Sequence, residues 1–269
     1  MKRQPIGVFD SGLGGLTAVR ELTRLMPHED IVYFGDTGRV PYGTRAPDTI
    51  VRYTRQDIRF LQSFDVKALV VACGTASSVA LPRIEGEYDL PILGVVTAAA
   101  SAAVKATKNG NIGILGTAAT VGSGAFSRAI LEESPNARLT SVPCPLFVPL
   151  VENGRVSPDD AVLRLVVEEY LTPMKEAGVD TLILGCTHYP IIADAIGAFM
   201  GEGVTLINPA REAILTLNQL TALPKNTEGE GTCRFFVSDD PALFSKNASL
   251  FLGREVSEAV EQITLEETV

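Results

Sequence analysis

Two of the four cysteines in this 269-residue chain recur in matching settings. Cys73 follows Leu69-Val70-Val71-Ala72 and precedes Gly74-Thr75. Cys186 follows Leu182-Ile183-Leu184-Gly185 and precedes Thr187, 113 positions further on. A short apolar run of this kind reads as a buried strand, so each sulfur stands at a strand end. A thiol there can act as a nucleophile or carry a proton, because small changes of environment move its ionisation toward neutrality. His188 lies two residues after Cys186 and can lower that thiol's pKa or relay its proton; it can equally be a structural histidine. Asp10 closes the run Ile6-Gly7-Val8-Phe9, where it can orient an ammonium group or simply form a turn. Glu152, just before Gly154, reads from its surroundings as a solvated surface residue. Cys144 and Cys233 lack the matched context and read as small buried hydrophobes.

The composition narrows the classes. With 46% hydrophobic and 20% charged residues, a packed globular protein is expected, and the length accommodates two domains. The formal net charge of −9 argues against non-specific nucleic-acid binding and against a polybasic membrane contact. There is no C-x-x-C pair and there are only two histidines, His28 and His188, so no zinc-ligand spacing exists and no metal site is expected. The N-terminal apolar run is too short for a signal peptide, and no run of about 18 apolar residues predicts a membrane span. A soluble protein of a reducing compartment, most simply the cytoplasm, is expected.

Strands and helices alternate around these residues. Ile6–Phe9, Ile31–Phe34, Ala68–Ala72, Pro91–Val96, Asn111–Leu115, Leu139–Val142, Leu182–Gly185, Val204–Ile207 and Arg234–Val237 read as strands. Helical spacing covers Leu16–Met26, Ile50–Phe64, Ala98–Thr107, Phe126–Glu133, Pro158–Lys175, Ile191–Met200, Arg211–Leu220 and Pro241–Phe251. A short helix over Ser77–Glu85 is expected to stop near Pro82. The alternation predicts an α/β fold with mainly parallel sheets, whose ligands sit outside the carboxyl ends of the strands. Asp10, Asp36, Cys73, Thr117 and Cys186 all fall at such ends. The glycine-rich Gly12-Leu13-Gly14-Gly15 fits neither G-x-G-x-x-G nor a P-loop, although Asp36 stands at about the distance of a ribose contact.

The pattern also runs twice. Ile6-Gly7-Val8-Phe9 is echoed by Ile112-Gly113-Ile114-Leu115, and each echo leads to a strand ending in Cys at a similar distance. That predicts an internal duplication: two similar α/β domains with the active site in the cleft between them.

Taken together, Asp10-Ser11-Gly12-Leu13-Gly14-Gly15, Asp36, Pro41-Tyr42-Gly43, Cys73 with Thr75-Ala76, Gly116-Thr117 with Thr120, Gly185-Cys186-Thr187-His188-Tyr189-Pro190 and Phe236-Val237-Ser238-Asp239-Asp240 resemble the glutamate racemases of the aspartate/glutamate racemase superfamily. The resemblance spans nearly the whole chain in order. It implies a cofactor-independent two-base racemase, commonly a homodimer, that supplies D-glutamate for peptidoglycan. It implies a first domain of residues 1–97 plus 208–269 and a second of residues 98–207. It also implies the roles: Cys73 takes the proton from D-glutamate and Cys186 from L-glutamate, with Asp10 assisting Cys73, and Glu152 and His188 assisting Cys186. Asp10, Ser11, Pro41, Tyr42, Gly43, Gly74, Thr75, Thr117, Thr120, Thr187 and His188 match positions that hold the substrate. Two departures stand out. Gly74 replaces the family's usual Asn, so substrate contact there is expected through backbone N–H groups and Thr75. Asn208 stands where Asp is common. Without the N-terminal extension of the precursor-activated members in this sequence, that activation is not expected. The alternatives are an aspartate racemase or another two-cysteine relative, and a catalytically dead regulatory binding protein.

Overall fold

The computed structural model describes residues 3–265; residues 1–2 and 266–269 of the expected first domain lie outside that range. The chain begins with β1 (Ile6–Asp10), α1 (Leu16–Leu25), β2 (Ile31–Gly35), α2 (Pro47–Gln62), β3 (Ala68–Val71), α3 (Gly74–Val79), α4 (Leu81–Ile84) and β4 (Ile92–Gly94). It continues through α5 (Val95–Ala106), β5 (Asn111–Gly116), α6 (Ala118–Ser123), α7 (Ala125–Glu133), β6 (Arg138–Pro143), α8 (Phe147–Glu152), α9 (Ala161–Glu176), β7 (Thr181–Leu184), α10 (Ala193–Met200) and β8 (Thr205–Ile207). The last elements are α11 (Pro209–Gln219), β9 (Cys233–Val237), α12 (Pro241–Leu252) and β10 (Val260–Gln262).

Two parallel sheets result, with strand orders β10-β9-β2-β1-β3-β4 and β6-β5-β7-β8. The segment β2-β1-β3-β4 has the same order as β6-β5-β7-β8. The duplication expected from two sequence echoes is thus present as topology. β1, β2 and β3 are buried along their whole length, as strands covered on both faces must be. Phe9 pairs with Val71 and Leu115 with Leu184, so β3 and β7 end at the same level relative to their neighbours. Each catalytic-candidate cysteine follows two residues later. After leaving the first sheet at β4 the chain returns to it through β9, which pairs with β2.

Several local expectations change. The run Pro91–Val96 is not one strand: only Ile92–Gly94 pairs, and Val95 already opens α5, so residues 97 and 98 fall inside a helix. The helix after Cys73 starts at once rather than at Ser77. It breaks at Ala80 and restarts with Pro82 in the first turn of α4, where proline's missing N–H costs nothing. Asp160 is not inside α9 but caps it, its Oδ1 accepting from the Val162 and Leu163 N–H groups. The helices α6 and α8 and the strand β10 carry too few periodic residues to be read from pattern.

Candidate active site

The carboxyl ends of β1, β3, β5 and β7 converge on one cavity of about 190 Å³. It is lined by Asp10, Ser11, Pro41, Tyr42, Gly43, Cys73, Gly74, Thr75, Thr117, Glu152, Cys186, Thr187 and His188. Of the residues expected at the site, Asp36 and Thr120 do not line it. Asp36 is buried behind Tyr42, whose hydroxyl it meets. Thr120 is buried one step behind and receives the Thr117 hydroxyl at 3.0 Å.

The first thiol sits in a buried, anionic corner. Cys73 caps α3, its Sγ accepting from the Ala76 N–H at 3.4 Å, and its S–H points to Ser11 Oγ at 3.7 Å. Asp10 beside it is 1% exposed; its Oδ2 accepts from the Gly12 N–H at 3.1 Å, while Oδ1 has no hydrogen-bond partner among the described residues. Burial raises the Asp10 carboxyl above its ordinary value, against the opposing pull of His188 and of loop N–H groups. Burial, then the charge of Asp10, pushes the Cys73 thiol up to about 12. At neutral pH Cys73 carries its proton.

The second thiol has a cationic backing. Cys186 Sγ lies 3.8 Å from His188 Nδ1, and His188 Nε2 lies 2.9 Å from Glu152 Oε1 at the end of α8. Burial alone would lower the His188 pKa. Hydrogen bonds to Cys186 and Glu152, and the negative charge of both, outweigh it and raise the ring to about 10. His188 is then an imidazolium at neutral pH. It is a proton donor aimed at the Cys186 sulfur and a counter-charge for a thiolate. Glu152, which the sequence alone reads as a surface residue, is the partner that holds this ring.

The two corners are tied across the cleft. The Thr17 hydroxyl reaches the Thr187 carbonyl at 3.3 Å, and Phe251 of α12 meets the His188 ring edge-on at 5.1 Å. Thr75 from the first sheet and Thr117 from the second bring their hydroxyls within 3.1 Å. Gly74 makes a close approach to backbone: a Cβ there would stand 2.4 Å from the Gly185 carbonyl oxygen. One side of Gly74 lines the cavity and the other is filled by the residue that precedes Cys186. Among the described residues no group of three or more His, Cys, Asp and Glu is placed to hold a metal ion. Cys144, Pro145 and Val148 also line the cavity, and nothing in their local sequence marks them for it.

The pattern of the Asp/Glu/hydantoin racemases matches residues 15–217. The chain is 42% identical to the glutamate racemase of Geobacter metallireducens, over 99% of this chain and 98% of that protein. The chain belongs to the Asp/Glu/hydantoin racemase family. Among racemase structures, that of Francisella tularensis glutamate racemase in complex with D-glutamate superposes with a TM-score of 0.91, at 38% identity and over all of both chains. Thermus thermophilus glutamate racemase in complex with β-chloro-D-alanine gives a TM-score of 0.87, at 43% identity and over 99% of each chain. The cavity holds a thiol past the end of a strand from each sheet, each with its own ionisable neighbour.

Proposed function

We propose that this protein interconverts L- and D-glutamate by a two-base mechanism that uses Cys73 and Cys186. The observation that carries the reading is the pair of strand-end thiols, one from each sheet, lining a single cavity from differently charged corners. The glutamate racemases to which the chain is similar supply the substrate.

From L-glutamate, the Cys186 thiolate takes the α-proton on one face and becomes a thiol. The electron pair left on Cα is held by groups that need not reorganise, in a site closed to water. The Cys73 thiol then delivers its proton to the opposite face and is left as the thiolate, giving D-glutamate. The reverse reaction exchanges the two roles. His188, held by Glu152, supports negative charge on Cys186; between turnovers Cys186 loses its proton to solvent and Cys73 regains one from it. Asp10 has the opposite effect on Cys73, whose proton its charge retains, and its unpartnered Oδ1 is free to meet the substrate ammonium. Ser11, Pro41, Tyr42, Gly43, Gly74, Thr75, Thr117, Thr187 and His188 surround the substrate, with Thr120 bracing Thr117. No cofactor or metal takes part. The two lobes, residues 1–97 with 208–269 and residues 98–207, close on glutamate as one subunit of a cytoplasmic homodimer, and the D-glutamate enters peptidoglycan. Among the described residues no helix is long and apolar enough to cross a membrane.

The test is the change in circular dichroism of L-glutamate and, separately, of L-aspartate with purified protein, before and after dialysis against EDTA. Loss of the glutamate signal at equal rates in both preparations is expected. Turnover of aspartate but not glutamate, or activity restored only by added metal, would contradict the reading.

A further inference from the structure

Asp57 sits in the middle of α2 with no exposed surface, and the proton transfers above make no use of it. Its Oδ1 accepts from Arg39 Nη2 at 3.0 Å, and its Oδ2 lies 2.8 Å from the Tyr42 hydroxyl. Asp36, just past β2 and equally buried, presents Oδ2 to the same hydroxyl at 2.5 Å and to Arg39 Nε at 2.7 Å. Its Oδ1 accepts from the Ser238 hydroxyl at 2.8 Å. Arg39 also donates to Gln56 and lies 4.1 Å over the ring of Tyr53.

Counting protons decides the arrangement. The Tyr42 oxygen is within bonding distance of a carboxylate oxygen on each aspartate, but a phenol has only one O–H. Both contacts are hydrogen bonds only when one carboxyl group is protonated. Asp36 already receives donors from Arg39 and Ser238 and is the better acceptor for a third. The proton therefore belongs on Asp57, which donates to the Tyr42 oxygen, and Tyr42 donates to Asp36. Burial, and then the neighbouring Asp36 charge, raise the Asp57 carboxyl well above the ordinary range. One guanidinium and one carboxylate then remain, a balanced pair.

This cluster grips the wall of the cavity. Pro41, Tyr42 and Gly43 line it, and Gly43 rests on the second lobe, where a Cβ would stand 2.9 Å from Thr117 Cβ. We propose that Asp57 is a positioning residue for the substrate: as a neutral carboxylic acid bonded through Tyr42 to Asp36 and braced by Arg39, it fixes the Pro41–Gly43 wall against Thr117. The proposal rests on the reading of the cavity as a glutamate racemase site.

The experiment compares Asp57→Asn with Asp57→Ala. An amide mimics the neutral acid, donating to Tyr42 and accepting from Arg39, so Asp57→Asn keeps kcat/KM within about threefold of wild type. Asp57→Ala raises KM for both enantiomers about tenfold or more and changes kcat less, because the thiols stand on other loops. A merely structural role would lower the amount of folded enzyme and leave the KM of the remainder alone. Ser238→Ala, a half-buried change that folds readily, removes one bond to Asp36 and raises KM about threefold. Asp57→Asn as damaged as Asp57→Ala, or an unchanged KM in Asp57→Ala, overturns the proposal. If Asp57→Ala does not fold, an unchanged KM in Ser238→Ala overturns it instead. A wild-type enzyme inert toward glutamate overturns the underlying reading and this proposal with it, whereas an unchanged KM in an active Asp57→Ala overturns the proposal alone.

Discussion

Cys73 and Cys186 follow equivalent strands of two sheets that share a four-strand order, yet their surroundings have opposite charge. Cys73 is buried against the Asp10 carboxylate, and both burial and that charge hold it as a thiol. Cys186 is less buried and faces an imidazolium that Cys186 itself and then Glu152 keep protonated. A duplicated scaffold therefore repeats the position of sulfur and varies its neighbours. Inversion requires that difference at the start of each turnover, since one sulfur must carry a proton while the other lacks it. The free energies of two enantiomers are equal, so kcat/KM must match in both directions at every pH. The asymmetry then sets where the proton rests in the free enzyme, not which product wins.

The largest effect comes from removing either sulfur. Cys73→Ser and Cys186→Ser should each lower racemisation about 10²–10⁴-fold, since each deletes one acid–base partner and a serine hydroxyl ionises far too weakly to replace it. Substantial turnover by either variant would make one sulfur a bystander and remove the comparison.

The two corners are separated next by their partners. His188→Asn and Glu152→Gln should lower kcat/KM roughly 10- to 100-fold, the worth of a hydrogen bond to a charged group of about 1.5–3 kcal/mol. The sign of the pH effect follows from the raised ring. The protonated form is the one the fold favours, so its contribution is complete below about pH 6.5 and lost as pH rises through about 10. The Tm gap between wild type and His188→Asn should therefore shrink as pH approaches 10, as measured by thermal unfolding across a pH series. A gap that widens with pH would show that the ring is buried neutral.

Alkylation reads the same asymmetry directly. In the ligand-free enzyme at neutral pH, iodoacetamide followed by peptide mass spectrometry should label Cys186 about tenfold or more faster than Cys73, because the thiolate is the reactive form and Cys73 is held protonated and buried. Equal rates would remove the distinction between the corners.

Gly74 tests how tightly the halves meet. Asn at this position must displace the Gly185 carbonyl, with an overpacking cost of about 1–3 kcal/mol. Because that carbonyl precedes Cys186, Gly74→Asn should lower both Tm and kcat. A variant with higher Tm and higher kcat/KM would mean the lobes have room to move apart. The smallest effect belongs to the cysteines outside the pair. Cys144→Ser and Cys233→Ser should change turnover less than about threefold and cost about 1 kcal/mol of stability, since both thiols are at least half-buried.

The sequence carries a feature when neighbouring residues repeat it. The strand before each thiol, the polar residues after it and the doubled pattern are local, and the sheets follow them. Asp57 is an ordinary charge within an amphipathic helix until Asp36, Arg39 and Tyr42 are folded around it. Glu152 reads as a surface residue by pattern, and resemblance alone connects it to His188, 36 positions away. Gly74 marks a missing side chain in the sequence; that the space is filled by Gly185, from the other sheet, is a long-range fact with no local trace. Cys144 reads correctly as a buried thiol, yet its place in the cavity wall depends on how α8 folds back.

The most direct test of the two-thiol account is the deuterium content of both glutamate enantiomers during the first few per cent of reaction in D₂O, starting from each enantiomer in turn. With a sulfur on each face, the donor equilibrates with solvent before substrate binds. The new enantiomer should then be deuterated at Cα from the outset, while the remaining starting enantiomer keeps its protium, in both directions. Early product that retains the substrate's own α-proton would mean one base serves both faces, and would contradict the account.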